Sequence, residues 1–252
     1  GAAHAAAEVE RLAMLLEAPV MMSVNGRGIL APGHPLNADF SIAYDDGRNA
    51  IDESDSVIAI GTEIGETDYD FWATKPFQPR GSLIRIDIDP RQIAIGPRVG
   101  VGIVADARLA TLALIEAIEA SKGKGKPDRA WADRLVKSAA KLMERTREPE
   151  DPLYDRLLAA IRDRLGDPVL VGDSTKPVYR GMLTYRAPVP RSFFSAATGF
   201  GTLGFALPAA IGAKIALPDR HVIALMGDGG IQFTLPELMS AKEAKAGIAV
   251  VV

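Results

Sequence analysis

The sequence predicts an α/β fold of two parallel-sheet domains, the second of them incomplete. Three observations predict it. Short apolar runs alternate with longer amphipathic stretches along the chain, the pattern of strands joined by covering helices. A polar, glycine-rich break, Ser121-Lys122-Gly123-Lys124-Gly125-Lys126-Pro127, divides the alternation into two blocks. The last run, Ile248 to Val252, is a strand pattern with neither turn nor helix after it, so the second sheet is expected to be unfinished within this chain.

The first block, residues 1–120, opens on an alanine-rich helix whose Val9, Leu12, Leu15 and Leu16 form one apolar stripe. Pro19 to Val24 reads as a short strand closed by the turn cluster Asn25-Gly26-Arg27-Gly28, and a loop with Pro32, Gly33, Pro35 and Asn37 follows. Asn49 to Ser54 reads as a short helix, and Ser56 to Ile60 as a strand ending at Gly61. Leu83 to Ile88 is a strand stopped by Asp89-Pro90. Val101 to Val104 is another, leading through Asp106 into a helix from Ala107 to about Ala120. Strands separated by helices imply a mostly parallel sheet covered on both faces.

Residues 121–152 read as a linker with its own charged helix, around Trp131 to Arg147, ended by Glu148-Pro149-Glu150-Asp151-Pro152. The second block, residues 153–252, restarts the alternation. Tyr154 to Leu165 is an amphipathic helix, and Pro168 to Asp173 is a strand with its exit turn. A glycine-rich segment from Thr198 to Gly204 opens a helix through Leu207 to Ala216. His221 to Met226 is a buried-type strand followed by Gly227-Asp228-Gly229-Gly230, and Leu235 to Lys245 is the next helix.

Bulk composition narrows the function classes. A formal charge of −3, from 29 basic and 32 acidic side chains that are well mixed, offers no footprint for nucleic acid or an anionic membrane. With no cysteine, disulfides, zinc thiolates and a cysteine nucleophile are excluded. No apolar run approaches the ~20 residues that span a bilayer, and the opening residues lack a signal-peptide pattern, so a cytoplasmic protein is expected. His4, His34 and His221 are too scattered for a metal site or a triad. Tyr69, Phe71 and Trp72 read as packing, and the lysines of the break as solvated. Asp87 and Asp89 fall on one face of a strand, but Pro90 ends it, so a turn and cap role is expected.

The strongest chemical signal is the strand followed by Gly227-Asp228-Gly229-Gly230 and a helix. Glycines admit a phosphate close to the backbone, and the amides of such a turn favour an anion. Asp228 stands at the carboxyl end of a strand, where α/β sheets place ligands, and a carboxylate beside a diphosphate suits Mg²⁺. A tight turn with no ligand would leave the same four residues. The small-residue helix opened by Gly199-Phe200-Gly201-Thr202-Leu203-Gly204, a few residues earlier, weighs against that plainer reading.

Gly-Thr-Leu-Gly-Phe-Ala-Leu-Pro-Ala-Ala-Ile-Gly-Ala from Gly201 and Met-Gly-Asp-Gly-Gly-Ile-Gln-Phe-Thr-Leu-Pro-Glu-Leu from Met226 resemble the diphosphate-binding domain of thiamine-diphosphate (ThDP) enzymes. The similar subgroup contains acetolactate synthase large subunits and 2-oxo acid decarboxylases. Ser23-Val24-Asn25-Gly26-Arg27-Gly28, His34-Pro35-Leu36-Asn37, Asp55 to Gly61 and Ile86-Asp87-Ile88-Asp89-Pro90 resemble that family's Rossmann-like middle domain, in order, so the likeness covers essentially the whole chain.

The resemblance implies ThDP and Mg²⁺ as cofactors and a small 2-oxo acid as substrate. It implies Asp228 as a Mg²⁺ ligand, with the backbone of Gly227, Gly229 and Gly230 holding the diphosphate. Gly201 would offer its carbonyl to the aminopyrimidine, beside Thr202, and Leu203 would be the apolar wedge beneath the cofactor. Asp173, Ser174 and Thr175 would lie near the diphosphate. In part of the family the middle domain carries FAD or ADP. Gly61-Thr62-Glu63-Ile64-Gly65-Glu66 could line such a site but lacks the full dinucleotide fingerprint, so FAD ranks below the other two cofactors.

Two parts of the family's site are expected outside this chain: the catalytic glutamate, in a domain preceding Gly1, and an asparagine completing the Mg²⁺ site beyond Val252. The family's active sites form between subunits of a homodimer or homotetramer, so the chain alone is expected to be inactive. The implied reaction is decarboxylation of a 2-oxo acid with carboligation to an acetohydroxy acid. The alternative is simple decarboxylation to an aldehyde, which the pattern of Gly61-Thr62-Glu63, Thr67-Asp68 and Phe71-Trp72 suggests through its likeness to a guanidino-oxo acid decarboxylase branch. A different class of reading is a non-catalytic nucleotide-binding or assembly piece.

Overall fold

The computed structural model describes residues 2–39, 44–65, 79–121, 125 and 127–252. Glu66 to Trp72, together with Lys122, Gly123, Lys124 and Lys126, lie outside the described residues. The chain forms two compact units, residues 1–143 and 144–252. Both are α/β with wholly parallel sheets, in agreement with the predicted fold class.

In the first unit a 3₁₀ turn, Ala2–Ala5, leads into helix α1 (Ala6–Leu16), which buries Val9, Leu12 and Ala13. Helix α2 (Asp45–Glu53) begins four residues before the sequence suggested, with Asp45 and Asp46 in its first turn, where the helix dipole favours anions. Strands β1 (Ser56–Ile60), β2 (Ser82–Asp87) and β3 (Val101–Val104) form a sheet in the order β1-β2-β3. Asp87 and Asp89 act locally, as expected. The Asp87 carboxylate accepts from the Asp89 amide at 2.9 Å, and Asp89 caps the short helix α3 (Pro90–Ile93) through the Arg91 amide at 2.9 Å. Asp106 likewise caps α4 (Ala107–Ala120) through the amides of Arg108 and Leu109.

The segment expected as a strand at Pro19–Val24 pairs at one point only. Val20 makes a single parallel bridge to Asn37. Its partner stretch engages its own amides: His34 donates to Ala31 O, Asn37 to His34 O, and Leu36 to His34 Nδ1. That leaves Leu36 O and the Ala38 amide for Val20, at 2.8 and 3.0 Å, and the chain then turns through Val24–Gly26. Helix α5 (Arg129–Met143), which falls in the stretch read as linker, packs within the first unit. Its Ala132 joins Ala13, Met22, Leu30 and Leu36, and its Ala139 meets Ala38.

The second unit begins with α6 (Asp151–Leu165) and strand β4 (Val169–Gly172). Helix α7 (Lys176–Thr184) and strand β5 (Phe193–Ser195) follow, neither of which the sequence reading found. Then come α8 (Ala206–Ala216), β6 (Val222–Leu225), α9 (Asp228–Thr234), α10 (Glu237–Glu243) and β7 (Ala249–Val251). The single helix expected over Leu235–Lys245 runs instead over Glu237–Glu243, with Pro236 at the position before it, and a separate helix, α9, occupies Asp228–Thr234.

The strands of this unit lie in the order β5-β4-β6-β7. From β4 the chain runs to one side, into β5, and then crosses back to β6 on the other. The reversal puts a topological switch point between the carboxyl ends of β4 and β6, the place where open parallel sheets leave a crevice. Beneath it Val169, Val171, Val222 and Ala224 of the two strands pack on Ala206, Leu207, Ala210 and Ile211 of α8. On the opposite flank Gly172 lies so close to α7 that an added Cβ would come within 2.5 Å of Val178.

A buried ionic cluster ties α6 to α7. The Arg180 guanidinium donates to both Asp155 oxygens at 2.9 and 2.6 Å, to Asp151 Oδ2 at 3.2 Å and to Arg145 O at 2.9 Å. Asp151 also accepts from the amides of Arg147 and Glu148. Burial pushes its pKa up, but the Glu148 and Arg147 amides and the Arg180 charge outweigh burial, and the net shift is downward.

Candidate functional site

Three segments converge on the switch point between β4 and β6. The first is the turn after β4. Asp173 is fully buried there, and its two carboxyl oxygens accept from different amides: Oδ1 from Ser174 N at 2.8 Å and Oδ2 from Gly204 N at 2.8 Å. Ser174 then reaches across, its hydroxyl donating to Gly201 O at 3.1 Å. Thr175 stands just before α7, and Pro177 lies in that helix's first turn, where its missing N–H leaves no bond unmade.

The second segment is the glycine-rich loop before α8. Gly201 and Gly204 both hold left-handed backbone, with φ of 66° and 85°. Gly204 has no room for a side chain, since an added Cβ would meet Thr234 Cγ2 at 2.9 Å and Phe233 Cβ at 3.0 Å. Its carbonyl accepts from Thr234 Oγ1 at 3.0 Å. Between the two glycines Thr202 and Leu203 are exposed, and Phe200 beside them is fully exposed.

The third segment is the turn from β6 into α9. Gly227 is extended and caps the helix, and a Cβ there would lie 3.5 Å from Thr175 Oγ1. A Cβ on Gly230 would lie 3.3 Å from Asp173 Oδ2. A Cβ on Gly229, by contrast, would meet nothing within 4 Å. Asp228 is the first residue of α9 and is exposed. The first amides of a helix have no partner within it, so this end offers donors and one carboxylate to the same open space.

The structure therefore gathers Ser174, Thr175, Gly201, Gly227 and Gly230 into one constellation of direct neighbours. Asp228, Gly229, Thr202 and Leu203 stand exposed on the same turns. Among the described residues no group of three or more His, Asp or Glu is poised to hold a metal. Asp228 is thus a single carboxylate, which suits an ion that keeps waters and shares phosphate oxygens better than one needing a protein cage. The residues present fit a diphosphate with a hard divalent cation: open glycine backbone, one exposed carboxylate and flanking hydroxyls. Sequence reasoning did not find Thr234, whose bond to Gly204 joins residues 30 positions apart with no local signature.

In the first unit the carboxyl ends of the strands look different. Arg85 on β2 is fully buried, and its guanidinium donates to the carbonyls of Thr62, Glu63 and Ile95. It holds together the loop proposed from sequence as a nucleotide contact.

Comparison with known proteins agrees with this layout. Residues 1–115 match the central domain of thiamine pyrophosphate enzymes, and residues 171–252 match their C-terminal TPP binding domain. A probable 2-ketoarginine decarboxylase of Pseudomonas aeruginosa is 36% identical over 96% of this chain. A probable acetolactate synthase large subunit of Methanocaldococcus jannaschii is 32% identical over 95% of it. The acetolactate synthase isozyme 1 large subunit of Escherichia coli is 28% identical over all of it. The chain spans only 42, 41 and 44% of the length of these three relatives, respectively. Among the described residues no helix is long and apolar enough to cross a membrane.

Proposed function

Because the chain belongs to the family of thiamine pyrophosphate enzymes, we propose that the protein it forms decarboxylates a 2-oxo acid with ThDP and Mg²⁺ and joins the product to a second 2-oxo acid, giving an acetohydroxy acid. The observation that carries this is the meeting of the Ser174, Gly201 and Asp228 turns at the switch point of β4 and β6. When bound, ThDP supplies the sink for the electron pair that departing CO₂ leaves behind.

This chain's own residues bind and orient. Asp228 holds Mg²⁺, and the backbone of Gly227, Gly229 and Gly230 receives the diphosphate, with Ser174 and Thr175 beside it. Gly201 O, now accepting from Ser174, has a second lone pair for the aminopyrimidine. Leu203 gives the ring system apolar support, beside Thr202. In this reading residues 1–120 are the middle domain, 121–152 the connection and 153–252 the diphosphate-binding part. The working form is a cytoplasmic homodimer or homotetramer.

A second reading, aldehyde release without carboligation, is favoured by the 36% identity to the probable 2-ketoarginine decarboxylase. One experiment addresses both. The full natural chain is titrated with ThDP and Mg²⁺, then given pyruvate or 2-oxo-5-guanidinopentanoate with product analysis. Acetolactate supports the first reading, and the one-carbon-shorter guanidino aldehyde supports the second. Asp228→Asn should abolish Mg²⁺-dependent ThDP binding; binding unchanged by that substitution would sink the assignment of the site.

A further inference from the structure

We infer that Asp173 is a positioning residue that sets the cofactor cradle before any cofactor arrives, an inference that rests on the ThDP reading above. The Asp173 carboxyl divides its two oxygens between its own turn, at Ser174 N, and a segment 31 residues later, at Gly204 N. Both segments carry cradle groups, the Ser174 hydroxyl and Gly201 O, which are bonded to each other.

The linkage continues into the third segment. Gly204 O accepts from Thr234 at the end of α9, and the first turn of α9 packs back on Asp173, so close that a Cβ added to Gly230 would lie 3.3 Å from its carboxyl. The result is a closed ring: β4 turn, glycine loop, α9, and the β4 turn again. Neither Asp173 nor Thr234, the two side chains that tie the segments together, is among the groups placed against the cofactor. Asp173 is fully buried, so it holds the ring from behind. A ring fixed in the free protein lowers the ordering cost at binding, which is how preorganisation raises affinity.

Asp173→Asn tests this, because only one of its side-chain atoms can accept. Whichever way the amide turns, an NH₂ faces one of the two backbone amides and leaves a buried donor unmatched. In the cofactor-free full natural chain, hydrogen exchange at residues 201–204 should accelerate by about tenfold or more. The ThDP dissociation constant at saturating Mg²⁺ should rise roughly ten- to a hundredfold, while kcat at saturating ThDP falls no more than about threefold. If Asp173→Asn does not fold, Thr234→Val removes the other tie with little change of shape and should move both readouts the same way, by roughly three- to tenfold in affinity.

A lowered unfolding temperature with unchanged ThDP affinity and unchanged loop exchange would reduce Asp173 to a structural residue and overturn the proposal. If the wild-type chain binds no ThDP, the functional reading fails and this inference falls with it. If the wild type binds and both variants bind equally well, only the inference fails.

Discussion

Both sheets place a fully buried charged residue at or near the carboxyl ends of their strands, and the two residues do opposite things. Arg85 in the first unit donates to the carbonyls of Thr62, Glu63 and Ile95, drawing two loops together. Asp173 in the second unit accepts from the amides of Ser174 and Gly204, and the turns it braces leave Asp228, Gly229 and Leu203 exposed. A buried guanidinium gathers carbonyls. A buried carboxyl gathers amides instead, here one from its own turn and one from the glycine-rich loop. The two strand ends thus differ in the sign of the group that anchors them, one gathering carbonyls and the other amides.

The comparison breaks most visibly at Arg85. Arg85→Met keeps the aliphatic stem but removes the charged donor from the carbonyls of Thr62, Glu63 and Ile95 at once, so a loss of about 3–5 kcal/mol of stability is expected by denaturant titration. Arg85→Lys should recover only part of it, since an ammonium cannot span both loops as the planar fork does. A loss under about 1 kcal/mol for Arg85→Met would mean that the loops are held by other contacts.

Gly204 is the corresponding weak point of the open end. Gly204→Ala meets both a left-handed backbone and a contact at 2.9 Å with Thr234. A cost of about 2–4 kcal/mol follows from the backbone preference and overpacking together. Differential scanning calorimetry of this variant beside Gly212→Ala, which faces open space on α8, should show the loss in the first variant only.

Acid sensitivity is expected to come in part from the cluster around Asp151. Its folded pKa lies below the ordinary carboxylate value of 3.8, so its contribution is full above that pH and is lost as pH falls through the folded value. Asp151→Asn should cost about 1–3 kcal/mol at pH 7, and the gap between variant and wild type should narrow in urea titrations carried below about pH 4. A gap that stays constant down to pH 3 would show that its carboxylate charge contributes nothing.

What was legible in the sequence follows the same division between local and distant causes. Strands β1, β4 and β6 are short apolar runs ended by glycine or aspartate, and their placement needed nothing else. The Gly227–Gly230 turn was legible because its chemistry is consecutive. Strand β5 and helix α7 were missed: three residues are too few for a period, and the start signal of Thr175 with Pro177 went unused. Pro19 to Val24 has the composition of a strand, but whether it pairs depends on amides that its partner stretch keeps for itself. The Arg180 cluster and the bonds of Asp173 and Thr234 to Gly204 join residues 25 to 35 positions apart, and no local pattern encodes them. The candidate site was therefore readable as a set of turns but not as the ring that holds them.

The smallest expected effect separates stability from binding most cleanly. Gly229 lies in the first turn of α9, with open space where a side chain would go. Alanine is the better helix former, so Gly229→Ala should raise stability by roughly 0.5–1 kcal/mol. If the diphosphate approaches that backbone as proposed, the same methyl group occupies space the ligand needs, and ThDP affinity should fall while the unfolding temperature of the free protein rises. Opposite signs from one methyl would show that the space at Gly229 is kept open for a ligand at some cost to the fold. A rise in both quantities would place the diphosphate elsewhere on the switch point, against the Ser174 and Thr175 turn, and would move the contrast with Arg85 to the β4 side of the crevice.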